Sequence, residues 1–160
     1  MDQYVSTPPC PPSGQTAELE ALLDALIAQH HADFGCIQLL DRGSGKLHIC
    51  VQRGFSGDFV ERFRVIDAFH DSYTARALRS GRPTGVFDLQ ADSNYGLARE
   101  AAAEGYRGLQ ATPMTDEAGE VVGVISTHFR TPRRLGRADR DAAQLCAELA
   151  AKYAAALRFD

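Results

Sequence analysis

Residues Tyr106–Pro132 read YRGLQATPMTDEAGEVVGVISTHFRTP, and the folding of this stretch organises the rest of the chain. Two β-rich runs, about 108–114 and 120–130, flank the turn formers Asp116, Glu117, Ala118 and Gly119, the pattern of an antiparallel hairpin with a loop longer than the tightest turns. Val121, Val122, Val124, Ile125, Thr127 and Phe129 favour a pleated, buried surface. Strand side chains alternate, so Val121, Gly123, Ile125, Thr127 and Phe129 share one face, and Val122, Val124, Ser126 and His128 share the other. On the first strand Leu109 and Ala111 oppose Gln110 and Thr112. Aligning the polar sides predicts a patch of Gln110, Thr112, Ser126 and His128 backed by an apolar face. Such a patch is either a solvated sheet surface or the floor of a pocket.

Working outward, a helix is expected from Thr16, a candidate N-cap, with Glu18 and Glu20 in its first turn. Leu19, Leu22, Leu23, Leu26 and Ile27 form one apolar stripe at helical spacing, and His30 and His31 suit the helix C-terminus electrostatically. Strands over Asp33–Leu40 and Lys46–Arg53 are joined by Asp41-Arg42-Gly43-Ser44-Gly45, a hairpin signal. Ser56–Phe63 reads as a short helix. Asp71 or Ser72 caps another over Tyr73–Ser80, stopped by Gly81 and Pro83. Thr84–Asp88 reads as a strand, Leu89–Gly96 as loop, and Leu97–Glu104 as an alanine-rich helix. The last helix, Arg137–Leu157, is expected to bury Ala142, Leu145, Cys146, Leu149, Tyr153 and Leu157.

This order lacks βαβαβ alternation, which argues against a doubly wound parallel sheet. The fold class expected is α+β: a central antiparallel sheet of five or six strands. The first and last helices cover one face, and segments 56–105 roof the polar patch on the other.

The chain has 160 residues, 44% of them hydrophobic and 24% charged, the composition of one globular domain. Residues 1–14, rich in proline, are expected to be a disordered tail, and residues 15–160 the single domain. A net charge of −4 argues against nucleic acid as the main partner. The arginines at 130, 133, 134, 137 and 140 read as a solvated edge and helix start. No apolar run approaches the roughly 20 residues that span a bilayer, and the N-terminus has no signal-type apolar region, so the reading is cytoplasmic, with no membrane partner. Cys10, Cys36, Cys50 and Cys146 lack a CxxC spacing and are expected to be reduced thiols, with Cys10 exposed in the tail. Neither His30 with His31 nor His48 with Cys50 has the further ligands a metal site needs.

Three segments together resemble a GAF domain, the small-molecule-sensing module of many bacterial signalling proteins. They are QLLDRGSGKLHICVQRGF (Gln38–Phe55), SYTARALRSGRPTGVFDL (Ser72–Leu89), and GYRGLQATPM with GEVVGVISTHFRTP (Gly105–Met114 and Gly119–Pro132). The last is the most specific and is similar to GAF modules that accompany sensor histidine kinases. The resemblance implies a ligand cavity on the sheet face away from the terminal helices. It also implies signalling partners such as a histidine kinase of a two-component system. The Asn-Lys…Phe…Asp-Glu signature of cyclic-nucleotide-binding members has no match. Leu97–Glu104 lacks the cysteine of bilin-binding members, and no cysteine falls between Cys50 and Cys146, where the free methionine sulfoxide reductases use several. The cofactor is therefore unknown, with no bilin, cyclic nucleotide or metal signature.

The first functional expectation is a non-catalytic binding module for an unidentified small molecule, lined by Phe69, Tyr73, Phe87, Tyr95, Gln110, Thr112, Ser126 and His128. The second is dimerisation and signal relay through the terminal helices, using Leu19, Leu22, Leu26, Leu145, Leu149 and Tyr153. The third is an enzyme built on Ser126, His128 and Asp88. It is disfavoured because alternate strand side chains project in parallel some 6–7 Å apart.

Overall fold

In the computed structural model, residues 10–11, 16–92 and 95–157 are described. The tail expected over residues 1–14 lies outside them, except for Cys10 and Pro11. Six strands form one antiparallel sheet: β1 (Phe34–Asp41), β2 (Lys46–Arg53), β3 (Val65–Asp67), β4 (Thr84–Val86), β5 (Gly108–Thr115) and β6 (Val121–Phe129). Their order across the sheet is β3-β2-β1-β6-β5-β4. This is the α+β architecture expected, with α1 (Ala17–His30) and α5 (Arg137–Leu157) on one face. Over the other lie α2 (Gly57–Phe63), α3 (Tyr73–Ser80), α4 (Ala98–Glu104) and a 3-10 turn at Leu89–Ala91.

The β5–β6 hairpin forms around Asp116. Its Oδ1 accepts from the backbone of Ala118 and Glu120, and Gly119 takes φ 82°, a left-handed conformation that glycine adopts without penalty. The register differs from the polar alignment expected. Leu109 pairs with His128 and Ala111 with Ser126, whereas Gln110 faces Thr127 and Thr112 faces Ile125. Gln110 and Thr112 therefore sit on the helix-covered side of the sheet. The face of a strand residue depends only on parity, so a one-position difference in pairing moves the whole set across the sheet. An irregularity between Met114 and Thr115 adds to this: Val122 joins the helix-side core while Val124 joins the opposite one.

The helix-side core packs Leu19, Leu23 and Leu26 of α1 against Ile37, Leu39, Met114 and Ile125 of the sheet. Gly35 lets α1 approach closely, because a Cβ there would lie 2.6 Å from Ile27 Cδ1. On α5 the buried stripe is alanine, at Ala143, Ala147, Ala150, Ala151 and Ala154. The leucine stripe expected there turns outward instead, with Leu145 57% and Tyr153 42% exposed. Small side chains allow α5 to lie close to α1 and β5, and that close packing outweighs burial of the larger residues. Leu157's side chain lies outside the described residues.

Two more expectations are revised. Thr16 makes no capping hydrogen bond from its side chain. His30 is not a surface group at a helix end: it is fully buried, with Nδ1 2.8 Å from Thr127 Oγ1 and Nε2 2.7 Å from the Asp139 carbonyl. It pins α1 to β6 and to the first turn of α5. Burial holds its pKa below the ordinary histidine value, so Nε2–H donates to Asp139 and Nδ1 accepts from Thr127.

Cys10 and Cys50 are joined by a disulfide that ties the N-terminal segment to β2, which corrects the expectation of free thiols. Spacing could not reveal this contact, because it depends on the tertiary position of Cys10 beside β2. Cys36 and Cys146 are free. No helix among the described residues is long and apolar enough to cross a membrane.

Candidate functional site

The alternation that directs Ile37, Leu39 and Ile125 toward the helices directs Cys36, Gln38, Ser126 and His128 to the other face. There they floor a partly open cavity of about 50 Å³. Phe55, Phe59, Phe63, Tyr73, Tyr95 and Tyr106 supply its aromatic wall, and Glu100 reaches it from α4. The volume holds a few water molecules and is well below the roughly 300 Å³ of a drug-sized pocket.

The roof is built by local capping. Ser56 and Ser72 start α2 and α3 by accepting from the backbone N–H groups of Phe59 and Ala75. Polar contacts then close it: Glu104 accepts from the Ser56 backbone and hydroxyl, and Arg62 Nη2 lies 3.0 Å from Glu100 Oε1. Tyr73 donates to Asp92 Oδ2 at 2.6 Å, and Tyr73 and Tyr95 rings stand 4.9 Å apart.

On the floor, Ser126 Oγ is 3.1 Å from His128 Nε2. The histidine reaches back along the strand to its neighbour's hydroxyl, closer than the parallel projection of alternate residues implies. Its ring meets Phe55 and Tyr106 edge-on, with centroids 5.0 and 4.6 Å away. Burial drives the His128 pKa down to about 3, so the imidazole is neutral at physiological pH. Burial likewise pushes the Cys36 thiol up to about 12, which leaves it un-ionised.

Three buried polar atoms on this cavity have no hydrogen-bond partner among the described residues: Gln38 Oε1, His128 Nδ1 and Glu100 Oε2. Gln38 and His128 are only 4% and 5% exposed, so neither reaches bulk solvent. Buried polar groups are nearly always satisfied, and leaving one unpaired costs about 1–3 kcal/mol. Three on one small cavity form a coherent feature.

Of the lining residues expected from sequence, Tyr73, Tyr95, Ser126 and His128 converge here. Phe69 is 84% exposed and lies elsewhere. Phe87 and Gln110 border a separate groove with Arg133 and Arg134, where the Arg134 guanidinium sits 4.4 Å from the Phe87 ring centroid. Thr112 is buried on the helix side. Sequence reasoning missed Gln38, Phe55, Glu100 and Tyr106. Gln38 left a readable signal, a polar residue in the buried run FGCIQL, at the same parity as Phe34 and Cys36. Asp88 is engaged by Arg107 at 2.7 Å and does not line the cavity. Cys50 is committed to its disulfide, so His48 and Cys50 cannot act together on a metal, and no metal-type cluster occurs among the described residues.

An antiparallel sheet with terminal helices on one face and a small roofed cavity on the other has counterparts among known proteins. A family model described as a GAF domain matches residues 15–153, and the chain belongs to that family. No curated protein matches. Among solved structures, a domain described as belonging to a two-component sensor histidine kinase from Sinorhizobium meliloti is 20% identical, with a TM-score of 0.74 over 91% of this chain and 94% of that chain. The GAF domain of a phosphoenolpyruvate-protein phosphotransferase from Coxiella burnetii is 17% identical, with a TM-score of 0.77 over 91% and 85%. A type II free methionine-R-sulfoxide reductase from Thermoplasma acidophilum is 17% identical, with a TM-score of 0.73 over 89% and 94%. At these identities the likeness is one of fold.

Proposed function

We propose that this GAF domain is a non-catalytic sensor that binds a small molecule in the aromatic cavity and relays occupancy to a signalling partner. The observation that carries the reading is the set of unpaired buried atoms Gln38 Oε1, His128 Nδ1 and Glu100 Oε2 around one cavity. Buried acceptors without a protein partner favour a ligand that completes them. The histidine kinase domain among the similar structures supports a kinase-type partner, and the reading places the module in the cytoplasm. There the Cys10–Cys50 bond would face a reducing thiol pool.

Catalysis is the weaker reading although Ser126 and His128 are hydrogen-bonded. A nucleophile–base pair needs a third group to orient the base, and His128 Nδ1 has none among the described residues. An imidazole whose pKa lies near 3 is also a poor general base at neutral pH.

A metabolite panel screened by thermal shift tests the proposal. A ligand at a hundredfold its dissociation constant should stabilise the domain by about 2.7 kcal/mol. His128→Leu should abolish that response. A panel without effect, or one acting equally on the variant, would remove the basis of the proposal.

A second reading is compatible with the first. Leu145 and Tyr153 lie two turns apart and exposed on α5, which favours a homodimer through the terminal helices. Light scattering at high micromolar concentration should report twice the 17.4 kDa chain mass, and a monomer would exclude the dimer.

A further inference from the structure

The chemical character of the cavity narrows its ligand, given the sensor reading above. Among the residues that line it, Glu100 is the only one with a formal charge, and no lysine or arginine is present. Glu100 divides its carboxylate: Oε1 pairs outward with Arg62, while Oε2 is buried on the cavity without a partner. A carboxylate only accepts hydrogen bonds, whereas the Gln38 amide offers its oxygen and the His128 imidazole can present a lone pair at Nδ1. Around these acceptors stand the rings of Phe55, Phe59 and Tyr106, an aromatic setting that tolerates cations, as the Arg76 guanidinium 4.8 Å from the neighbouring Tyr73 ring centroid illustrates. An anionic ligand would meet the buried Glu100 Oε2, with no cationic side chain among the lining residues. A primary ammonium has several N–H donors and no acceptor. We infer that the cavity is built for a compact primary ammonium group, held by Glu100, Gln38 and His128 within the aromatic wall. The neutral state of His128 at physiological pH is consistent with this, since it adds no repulsive charge.

The test titrates ethylammonium chloride into the full chain while backbone amide NMR shifts are followed. Ethanol serves as the neutral analogue and acetate as the anion. The inference predicts saturable shifts at Gln38, Glu100 and His128 with ethylammonium alone, with a dissociation constant on the order of 1 mM for so small a ligand. Glu100→Gln should weaken binding by about tenfold or more, as expected for loss of a charged hydrogen-bond acceptor. Arg62→Ala retains the Glu100 carboxylate and should bind at least as tightly as the natural chain. This second variant keeps the test decisive if Glu100→Gln fails to fold. Absence of ethylammonium shifts at these residues, unchanged affinity in Glu100→Gln, or weaker binding in Arg62→Ala would each overturn the inference. Ethanol or acetate binding there in place of ethylammonium would overturn the ammonium class and leave the cavity standing as a ligand site. If none of the probes binds, the ammonium class falls, and the metabolite screen judges the cavity separately.

Discussion

The two faces of the sheet are built to different standards. The helix side is close-packed: Leu23 and Ile125 are fully buried, and its buried histidine, His30, has a partner on each ring nitrogen. The cavity side carries a histidine of similar burial, His128, with one ring nitrogen unpaired. Its roof helix α2 has no buried residue. The same backbone thus supports one face that stabilises the fold and one that keeps polar groups in reserve. Local stability follows packing, so the roof is where opening should be easiest.

The largest expected effect comes from truncation to alanine on the two sides. Leu23→Ala, in the helix-side core, should cost about 2–5 kcal/mol in denaturant unfolding. Val60→Ala on α2, only partly buried, should cost about 1 kcal/mol or less. Similar losses at both sites would erase the distinction between the faces.

Reduction of the Cys10–Cys50 disulfide comes next. It closes a sequence separation of 40 residues and anchors Cys10 at β2, beside the helix-side core. Dithiothreitol, or Cys10→Ser, should lower unfolding stability by about 2–4 kcal/mol.

A smaller effect is the response to pH. His30 and His128 both have folded pKa values lowered by burial, so the unfolded chain binds more protons. Their stabilising contribution is complete above about 6.5 and is lost as pH falls, at about 1.4 kcal/mol per pH unit for each excluded proton. Stability measured between pH 6.5 and about 5 isolates these groups, because Asp71, Asp88 and Asp116 have lowered pKa values and titrate further down. His128→Leu should reduce the slope by about one proton; an unchanged slope would show that His128 is not excluded from protonation.

The smallest effects are the most discriminating. Thr127→Val strands His30 Nδ1 and should cost about 1–3 kcal/mol. Gln38→Met removes an oxygen that already lacks a partner and should be neutral or stabilising. A large loss from Gln38→Met would mean that its amide holds the fold together.

Much of this was legible in the chain, for physical reasons that also mark the limits. The β5–β6 hairpin announced itself through period-two alternation and the Asp116–Gly119 turn, and α1 through its leucine stripe. Register was not legible: Gln110 and Thr112 needed a one-position difference in pairing, which neither composition nor turn residues specify. The buried face of α5 was misjudged because hydrophobicity favours leucine over alanine, while close helix packing favours the smaller residue. Tyr73, Tyr95, Ser126 and His128 were found because polarity or aromaticity stood out against their elements. Glu100 was missed because, on a short polar helix, its burial depends on α2 and on Arg62, 38 residues away.

The most direct measurement is native mass spectrometry of freshly purified protein. If the cavity face is a ligand site, the natural chain retains a noncovalent small-molecule mass that mild activation strips, and His128→Leu retains none. A bare polypeptide mass for the natural chain, even after incubation with a metabolite extract, would contradict the sensor reading.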